Sequence, residues 1–574
     1  MTGMRTPRGK AAAGLLLAAW GCGDALDGVA ERPLLRFVPS VIGLSQSRET
    51  TLTLENIGAG AAQNVTLQWD DVDGLQGMGA TLAVSPTSVT TLDGGGSLAV
   101  TVNLDIPVGV PAGSHRVILV ADLGGTAAAT AEISFQVMSA PWGTVTVAGP
   151  ASARQGDVVL YGAEVRDTAG TLVTDSTIAW SVSPAGAGSI AADGRFVGYQ
   201  AGAARVIARA GSLADSVTLV IQPRGLGGSF TVEGWGTIAD RFTSDLWVHG
   251  TAAYTGTWST RTEPGNMVYV WRIDDPTQPV LTDSLSLDAS TVNDIKVRSD
   301  GTVAVATHEG SSDGLNGITL LDLADPLHPS VIGRYTSGLE SGVHNVWIDG
   351  DYVYVAPDGA NVGLRIVDIT DRNNPTEAAQ FMGGSSFLHD VYVRDGLAFL
   401  SHWNDGLVIV DVGNGIAGGS PSRPAEVSRI ATLGGQTHNA WYWPAAGYVF
   451  VGEEDFGAPG ILHVVDVRDL RQPREVATYA VAGGPPHNFW LDEAGGVLYA
   501  AWYGQGLRGV DVSGELLGRL ELQGRDIAGS LYGGSGACPS ATGSFTCTWA
   551  PQLEAGLVFV SDMNTGLTIL RPQF

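Results

Sequence analysis

The chain has 574 residues, 79 of them Gly, and only 16% are charged. That length exceeds one hydrophobic core and implies three or four domains, and the composition suits short strands joined by tight turns rather than long surface helices, which need more Glu, Lys and Arg. The net charge of −27, from 58 acidic against 31 basic residues, repels phosphate backbones and argues against nucleic acid as a partner.

The N-terminus reads as an export signal over residues 1–22. Arg5, Arg8 and Lys10 are a basic start, and Ala11 to Ala19 is an apolar run shorter than the roughly 20 residues of a spanning helix. It ends in Ala19-Trp20-Gly21-Cys22, which resembles a bacterial lipoprotein lipobox, although Trp20 departs from the usual small residue. The resemblance implies lipidation at Cys22, export to a bacterial cell surface or periplasm, and a lipid anchor in the outer membrane. Ordinary secretion is the alternative.

Residues 32–138 alternate apolar and polar at Thr51-Leu52-Thr53-Leu54 and again from Asn64 to Trp69, with further strands from Ser97 and after Pro111-Ala112. These stretches resemble Ig-like sandwich modules of the CARDB/NEW3 type and imply a spacer or adhesion domain. Residues 140–223 carry Ala179-Trp180-Ser181-Val182, the turn Asp193-Gly194-Arg195-Phe196 and the strand Val206-Ile207-Ala208. They resemble the bacterial Ig-like group 2 family, with Trp180 expected to fill the sandwich core and Asp193-Gly194 to make a hairpin turn.

From 228 to 574 the sequence repeats at a period of about 40–50 residues. Units start at Ser244, Thr291, Gly342, Phe387, Thr437 and Pro486, and a partial seventh runs from Gly556 to Phe574. Each has an apolar strand ending in Asp and often a Pro soon after. A strand apolar at consecutive positions is buried on both faces, as stacked blades require. Leu407-Val408-Ile409-Val410-Asp411, with the variants Leu364 to Asp368 and Ile461 to Asp466, resembles the LVIVD family of bacterial exported β-propellers. The expected fold is therefore all-β: two Ig-like β-sandwiches followed by a seven-bladed β-propeller. The last unit lacks an outer strand, and residues 228–238 are expected to supply it, so that no edge stays open.

His344, His389, His438 and His487 occupy one position in successive units, each followed by Asn or Asp, and Ser244-Asp245 and Asn293-Asp294 stand there in the first two. The pair is expected to ring one channel mouth. Imidazoles with carboxylates bind divalent metals, which makes the four histidines candidate ligands. We favour a structural ring that satisfies strand-start amides, because equivalent repeats carry equivalent residues and a seven-fold ring is expected to hold side chains too far apart to chelate. A second candidate set lies after the second strand of each unit. His402, Trp403, Asp405, Glu453, Glu454, Trp502 and Tyr503 are its principal members, with His308, Glu309, Asp455 and Asp562 beside them. Aromatics beside carboxylates bind sugars or peptides, and Trp403 and Trp502 equally suit packing between blades. Glu453, Glu454 and Asp455 offer hard oxygens to Ca²⁺, but adjacent strand residues alternate faces.

Cys538 and Cys547 are expected to form a disulfide in an oxidising compartment. No nucleophile elbow, phosphate loop or His-Glu-x-x-His stretch is present. The favoured expectation is a cell-surface binding scaffold without a cofactor, a monomer whose partner is a surface protein or glycan and which meets the membrane only through its lipid anchor. A metal-dependent enzyme with a His-lined mouth and a purely structural envelope protein are the alternatives.

Overall fold

The computed structural model describes residues 33–574 except 46–47, 59, 107–109, 111–112, 138–141, 169, 171, 174–175, 433, 458–459 and 541. Residues 1–22, with Cys22, and Pro111-Ala112 lie outside the described residues. The described chain is all-β, with no α-helix and three single-turn 3₁₀ segments.

The first unit packs two sheets over one core. Leu35–Val38, Arg48–Asn56, Ser97–Asp105 and Thr81–Ser85 form one sheet, and Val41–Ser45, Thr126–Val137, Gly113–Leu123, Ala62–Asp70 and Ser88–Leu92 the other. Strict alternation turns Val100, Val102 and Leu104 inward from Ser97–Asp105, against Val117, Leu119 and Ile133 of the facing sheet. In the second unit Ser152–Arg154, Leu213–Gln222, Gly202–Ala210 and Ala179–Ser183 form a four-stranded sheet beside smaller sheets of three and two strands. Trp180 does not fill its core. It is half-buried at the core's edge, while Tyr161 and Phe196, edge-to-face at 5.9 Å, fill the centre. Gly194 makes the expected turn with φ +85°, and a Cβ there would lie 2.1 Å from the Tyr161 carbonyl oxygen.

From residue 229 onward the chain forms seven consecutive antiparallel sheets of four principal strands. Their opening strands are Phe242–His249, Ile295–Val297, Val343–Asp349, Leu388–Arg394, Thr437–Trp443, Phe489–Asp492 and Thr548–Glu554. Second and third strands such as Leu397–His402 and Gly406–Asp411 are buried at every position, whereas the fourth strand of that sheet, Ala425–Ile430, is half-exposed. The continuous apolar runs of the sequence are thus strands sandwiched between neighbouring sheets. Each opening strand touches the opening strand of the next sheet, and that of the seventh touches that of the first.

The seventh sheet differs from expectation at its start and agrees at its end. Its opening strand, Thr548–Glu554, precedes the expected beginning at Gly556, because Trp549 stands where other units have His and Pro551 interrupts the apolar pattern. Its fourth strand is Ser229–Thr237, which pairs with Gly566–Gln573 in the register Phe230↔Pro572 and Trp235↔Thr568.

Strand direction sorts the loops. Each opening strand leads away from the face on which the histidines lie, so second and fourth strands return to that face and the loop from third to fourth strand lies opposite. The second unit is held on the opposite face, against loop 512–525 of the sixth sheet. Arg224 Nε donates to Asp511 at 2.5 Å, Arg525 Nη2 to the Gly156 carbonyl at 2.7 Å and Arg195 Nη1 to Glu515 at 2.6 Å.

Candidate functional site

A recurrent irregularity builds the mouth. In the third, fourth, fifth and seventh sheets the pairing of the first two strands skips one residue, between Val343 and Asn345, Leu388 and Asp390, Thr437 and Asn439, and Thr548 and Ala550. The skipped residues are His344, His389, His438 and Trp549. Such a bulge bends the strand and re-aims a side chain, and here the histidine and the Asn or Asp after it both line the mouth. The lining set includes Asp245, Asn293, Asp294, Asp390, His487 and Asn488.

The four imidazoles form a continuous arc. Ring centroids are 4.3 Å apart between His344 and His389, 4.1 Å between His389 and His438, and 4.2 Å between His438 and His487, with Trp549 4.2 Å beyond His487. None is more than 4% exposed. His389 Nδ1 bonds the His438 carbonyl at 3.0 Å and His487 Nδ1 the Trp549 carbonyl at 2.6 Å. A carbonyl only accepts, so both rings carry their proton on Nδ1 and keep the Nε2 lone pair. Burial, reinforced by the neighbouring imidazoles, holds His389 and His438 well below the usual histidine range, and burial pushes His487 down to about 3.

Below the histidines lies a polar layer that stitches the sheets together. Asn345 Nδ2 donates to Asp390 at 3.1 Å while its Oδ1 accepts from Val391 N at 3.1 Å, Asp294 accepts from Val346 N at 3.0 Å, and Asn293 Nδ2 donates to the His344 carbonyl at 2.9 Å. Lys296 bonds both Asp245 and Asp294; burial disfavours its charge, but the two carboxylates prevail and hold it above its ordinary value. Burial raises Asp390 to about 7. Two residues deeper, Trp247, Trp347, Tyr392, Trp441 and Trp490 pack ring against ring at 4.6–5.9 Å, and Lys296 Nζ lies 5.5 Å from the centre of the Trp247 ring. These rings line the channel below the mouth.

The second candidate set divides. Glu454 and Tyr503 join the histidine arc: the Tyr503 hydroxyl donates to Glu454 Oε1, and Glu454 Oε2 lies 4.0 Å from His389 Nε2 and 3.8 Å from His438 Nε2. Trp403 stacks on His389 at 5.2 Å and reaches solvent. The others are structural. Trp502 is fully buried and donates to the Gly484 carbonyl at 2.6 Å. Asp405 accepts from Ser385 N at 2.7 Å and Ser386 N at 2.8 Å, His402 is buried, and Glu453 pairs with His463 Nε2 at 3.0 Å. The expected sugar-stacking platform is therefore not formed, because of the principal seven only Trp403 and Asp405 are more than 5% exposed. The acidic run does not converge on one cation either: Glu453 turns to His463, Glu454 to the histidines, and Asp455 accepts from Gly457 N at 2.8 Å. His308 is buried beside Ser311, and Asp562 accepts from Cys547 N, Asn564 N and Tyr532.

The separation expected of a seven-fold ring fails on this arc. His389, His438 and Glu454 bring one ligand atom each within 4.8 Å of one another, and Glu309, His344 and Asp358 do the same. The imidazoles lean along the ring to reach the next strand's carbonyl, which closes the gaps between sheets. Asp358 and His463 escaped the sequence reading. Asp358 ends a second strand at the level of Glu309, and His463 interrupts an otherwise apolar third strand; these two register positions are the signals that could have found them. Cys538 and Cys547 are joined as a disulfide with Cα atoms 5.0 Å apart.

The family model described as LVIVD repeat matches residues 342–382 and 388–432, which are the third and fourth of the seven sheets. That repeat is typical of β-propeller proteins. No curated protein matches the chain.

Proposed function

We propose that this chain is an exported recognition protein, in which a closed seven-bladed β-propeller head is carried on two Ig-like sandwiches and binds a partner at its histidine-bearing face. The propeller reading is supported by the two LVIVD repeats, by the ring of touching opening strands and by the pairing of Ser229–Thr237 with the last strand. The two-sheet core of the first unit supports the stalk reading. The disulfide suits an oxidising compartment, in keeping with a lipid anchor at Cys22 on a bacterial surface.

One observation carries the recognition role. The second unit docks on the face opposite the histidines, so the histidine face points away from the stalk. Its loops expose Leu315 at 49%, Met382 at 45%, Phe545 at 41% and Leu531 at 41%. On this reading these side chains are the contacts that a protein partner, rather than a glycan, would cover.

The test is capture from the native envelope with the full chain as bait, alongside a glycan array. The expected result is one specific protein retained by the wild type and lost with the triple variant Leu315→Ser, Met382→Ser, Phe545→Ser at unchanged melting temperature. Equal capture by wild type and variant, or binding to neither proteins nor glycans, overturns the reading.

A further inference from the structure

We infer that the histidine mouth is a binding site for one divalent transition-metal ion of the zinc class, ligated by Nε2 of His389, Nε2 of His438 and the carboxylate of Glu454. His487 stands next along the arc, outside this ligand set. This inference is independent of the partner proposal, which concerns the exposed loops.

Three observations converge on it. The first is ligand direction. His389 and His487 give Nδ1 to backbone carbonyls of the next opening strand. In metal sites the second ring nitrogen is anchored in this way, which fixes the ring and leaves the other nitrogen as donor. The carbonyl does here what a second-shell acceptor does in a zinc site, and it is supplied by the fold itself.

The second is distance. Two ligands at about 2.0–2.1 Å from a tetrahedral zinc stand about 3.3–3.4 Å apart. Glu454 Oε2 is 3.8 Å from His438 Nε2 and 4.0 Å from His389 Nε2, and one ligand atom from each of the three residues lies within 4.8 Å of the others, so closing onto one ion asks for shifts of about an ångström. His438 and His487 rings are 4.2 Å apart, and His487 Nε2 is buried without a hydrogen-bond partner. His487 is thus the next imidazole beside the three-residue cluster.

The third is chemistry. Two imidazoles and one carboxylate form a borderline set that suits zinc, iron or cobalt rather than calcium or magnesium, which take oxygen ligands. His389, His438 and Glu454 are each at most 4% exposed. A buried carboxylate gathered with two imidazoles is a ligand set that a cation stabilises.

The neighbouring group Glu309–His344–Asp358 is of another kind. His344 Nδ1 faces Asp358 at 3.4 Å and Glu309 at 3.6 Å. This group offers one imidazole and two carboxylates where the proposed site offers two imidazoles and one carboxylate, and it serves as the comparison site.

The experiment uses the full chain stripped with a chelator and titrated with Co²⁺ and Zn²⁺. The wild type is expected to bind one ion per chain, to show the visible absorption of a low-coordinate Co²⁺ site with nitrogen ligands, to release the cobalt to zinc, and to melt at a higher temperature with zinc. Glu454→Gln, which still accepts from Tyr503, and His438→Gln are each expected to weaken binding by at least about 100-fold, since losing only a group that hydrogen-bonds a ligand already costs up to that much. His344→Gln is expected to bind like the wild type. The wild-type measurements need no variant to fold. A folded wild type that binds no stoichiometric metal, undiminished binding by both Glu454→Gln and His438→Gln, or loss confined to His344→Gln overturns the assignment.

Discussion

Arg224 pins the second unit to the sixth sheet at a buried ion pair, and replacing it by Leu should loosen that contact. Its side chain is 1% exposed; Nε donates to Asp511, itself 5% exposed, and Nη1 donates to the Gln155 carbonyl at 3.1 Å and to Asp157 at 3.0 Å. Removing one member of a buried ion pair leaves the other uncompensated and costs about 3–5 kcal/mol. Arg525 Nη1 remains 3.7 Å from Asp511, which places the loss near the lower end, at about 3 kcal/mol. The Asp157 contact is 41% exposed on the carboxylate side and adds less than about 1 kcal/mol. At 1.36 kcal/mol per decade, the undocked population rises about 100-fold. Leu226, 45% exposed, lies in the short connection between Arg224 and Gly228, whose N–H is bound to the Ile527 carbonyl at 3.0 Å. A segment pinned at both ends cannot extend into a protease cleft. When opening and closing are fast, cleavage tracks the open population. Chymotrypsin should therefore cut Arg224→Leu at Leu226 about 100-fold faster than wild type, while Arg154→Leu, a half-exposed neighbour, should change the rate less than about threefold. A folded Arg224→Leu protein cut at the wild-type rate would refute the buried clamp.

Two further outcomes can be checked by melting temperature. A Cβ on Gly234 would meet the Pro276 carbonyl oxygen at 2.2 Å and Pro279 Cδ at 3.0 Å, so Gly234→Val should cost about 1–3 kcal/mol by overpacking the closing strand, whereas Gly227→Val, with open space around it, should melt like wild type; equal melting of the two would refute tight closure there. Burial opposes the charge of His463, but Glu453 and Glu475 outweigh it and raise the imidazole from 6.5 to about 10. A raised folded value means stability that is complete below the ordinary value and is lost as pH climbs toward 10. Wild-type melting should fall across that window more steeply than that of His463→Gln, and parallel curves would refute the charged triad.

What the sequence revealed of this fold follows from burial. A strand covered on both faces must be apolar at consecutive positions, and Leu407 to Val410 could be recognised without any neighbour. The same logic hid the seventh opening strand, where Trp549 and Pro551 break the pattern yet sit in the same register. The four histidines were legible as a shared position, because repeats place equivalent residues at equivalent points. Their closeness was not, since for His344, His389 and His438 it depends on a bulge in the pairing of the first two strands, and pairing is invisible in a single strand's residues. Phase explains the acidic run: Glu453 and Glu454 differ by one position and so face His463 and the mouth respectively.

The structural and the chemical reading of the histidine ring prove not to be rivals, because an imidazole has two nitrogens. In His389 and His487, Nδ1 bonds the next opening strand's carbonyl, which is the structural role expected of a repeated residue. That bond turns Nε2 toward the pit. Repetition of a structural device around the ring thereby gathers lone pairs at its centre, and Glu454, from a strand end two sheets along from His344, supplies the charge that the imidazoles lack. A ring serving structure alone would tolerate Gln at positions 454 and 438, since it holds no metal for them to release. A ring that also ligates would not, and the two demands separate at the level of single atoms.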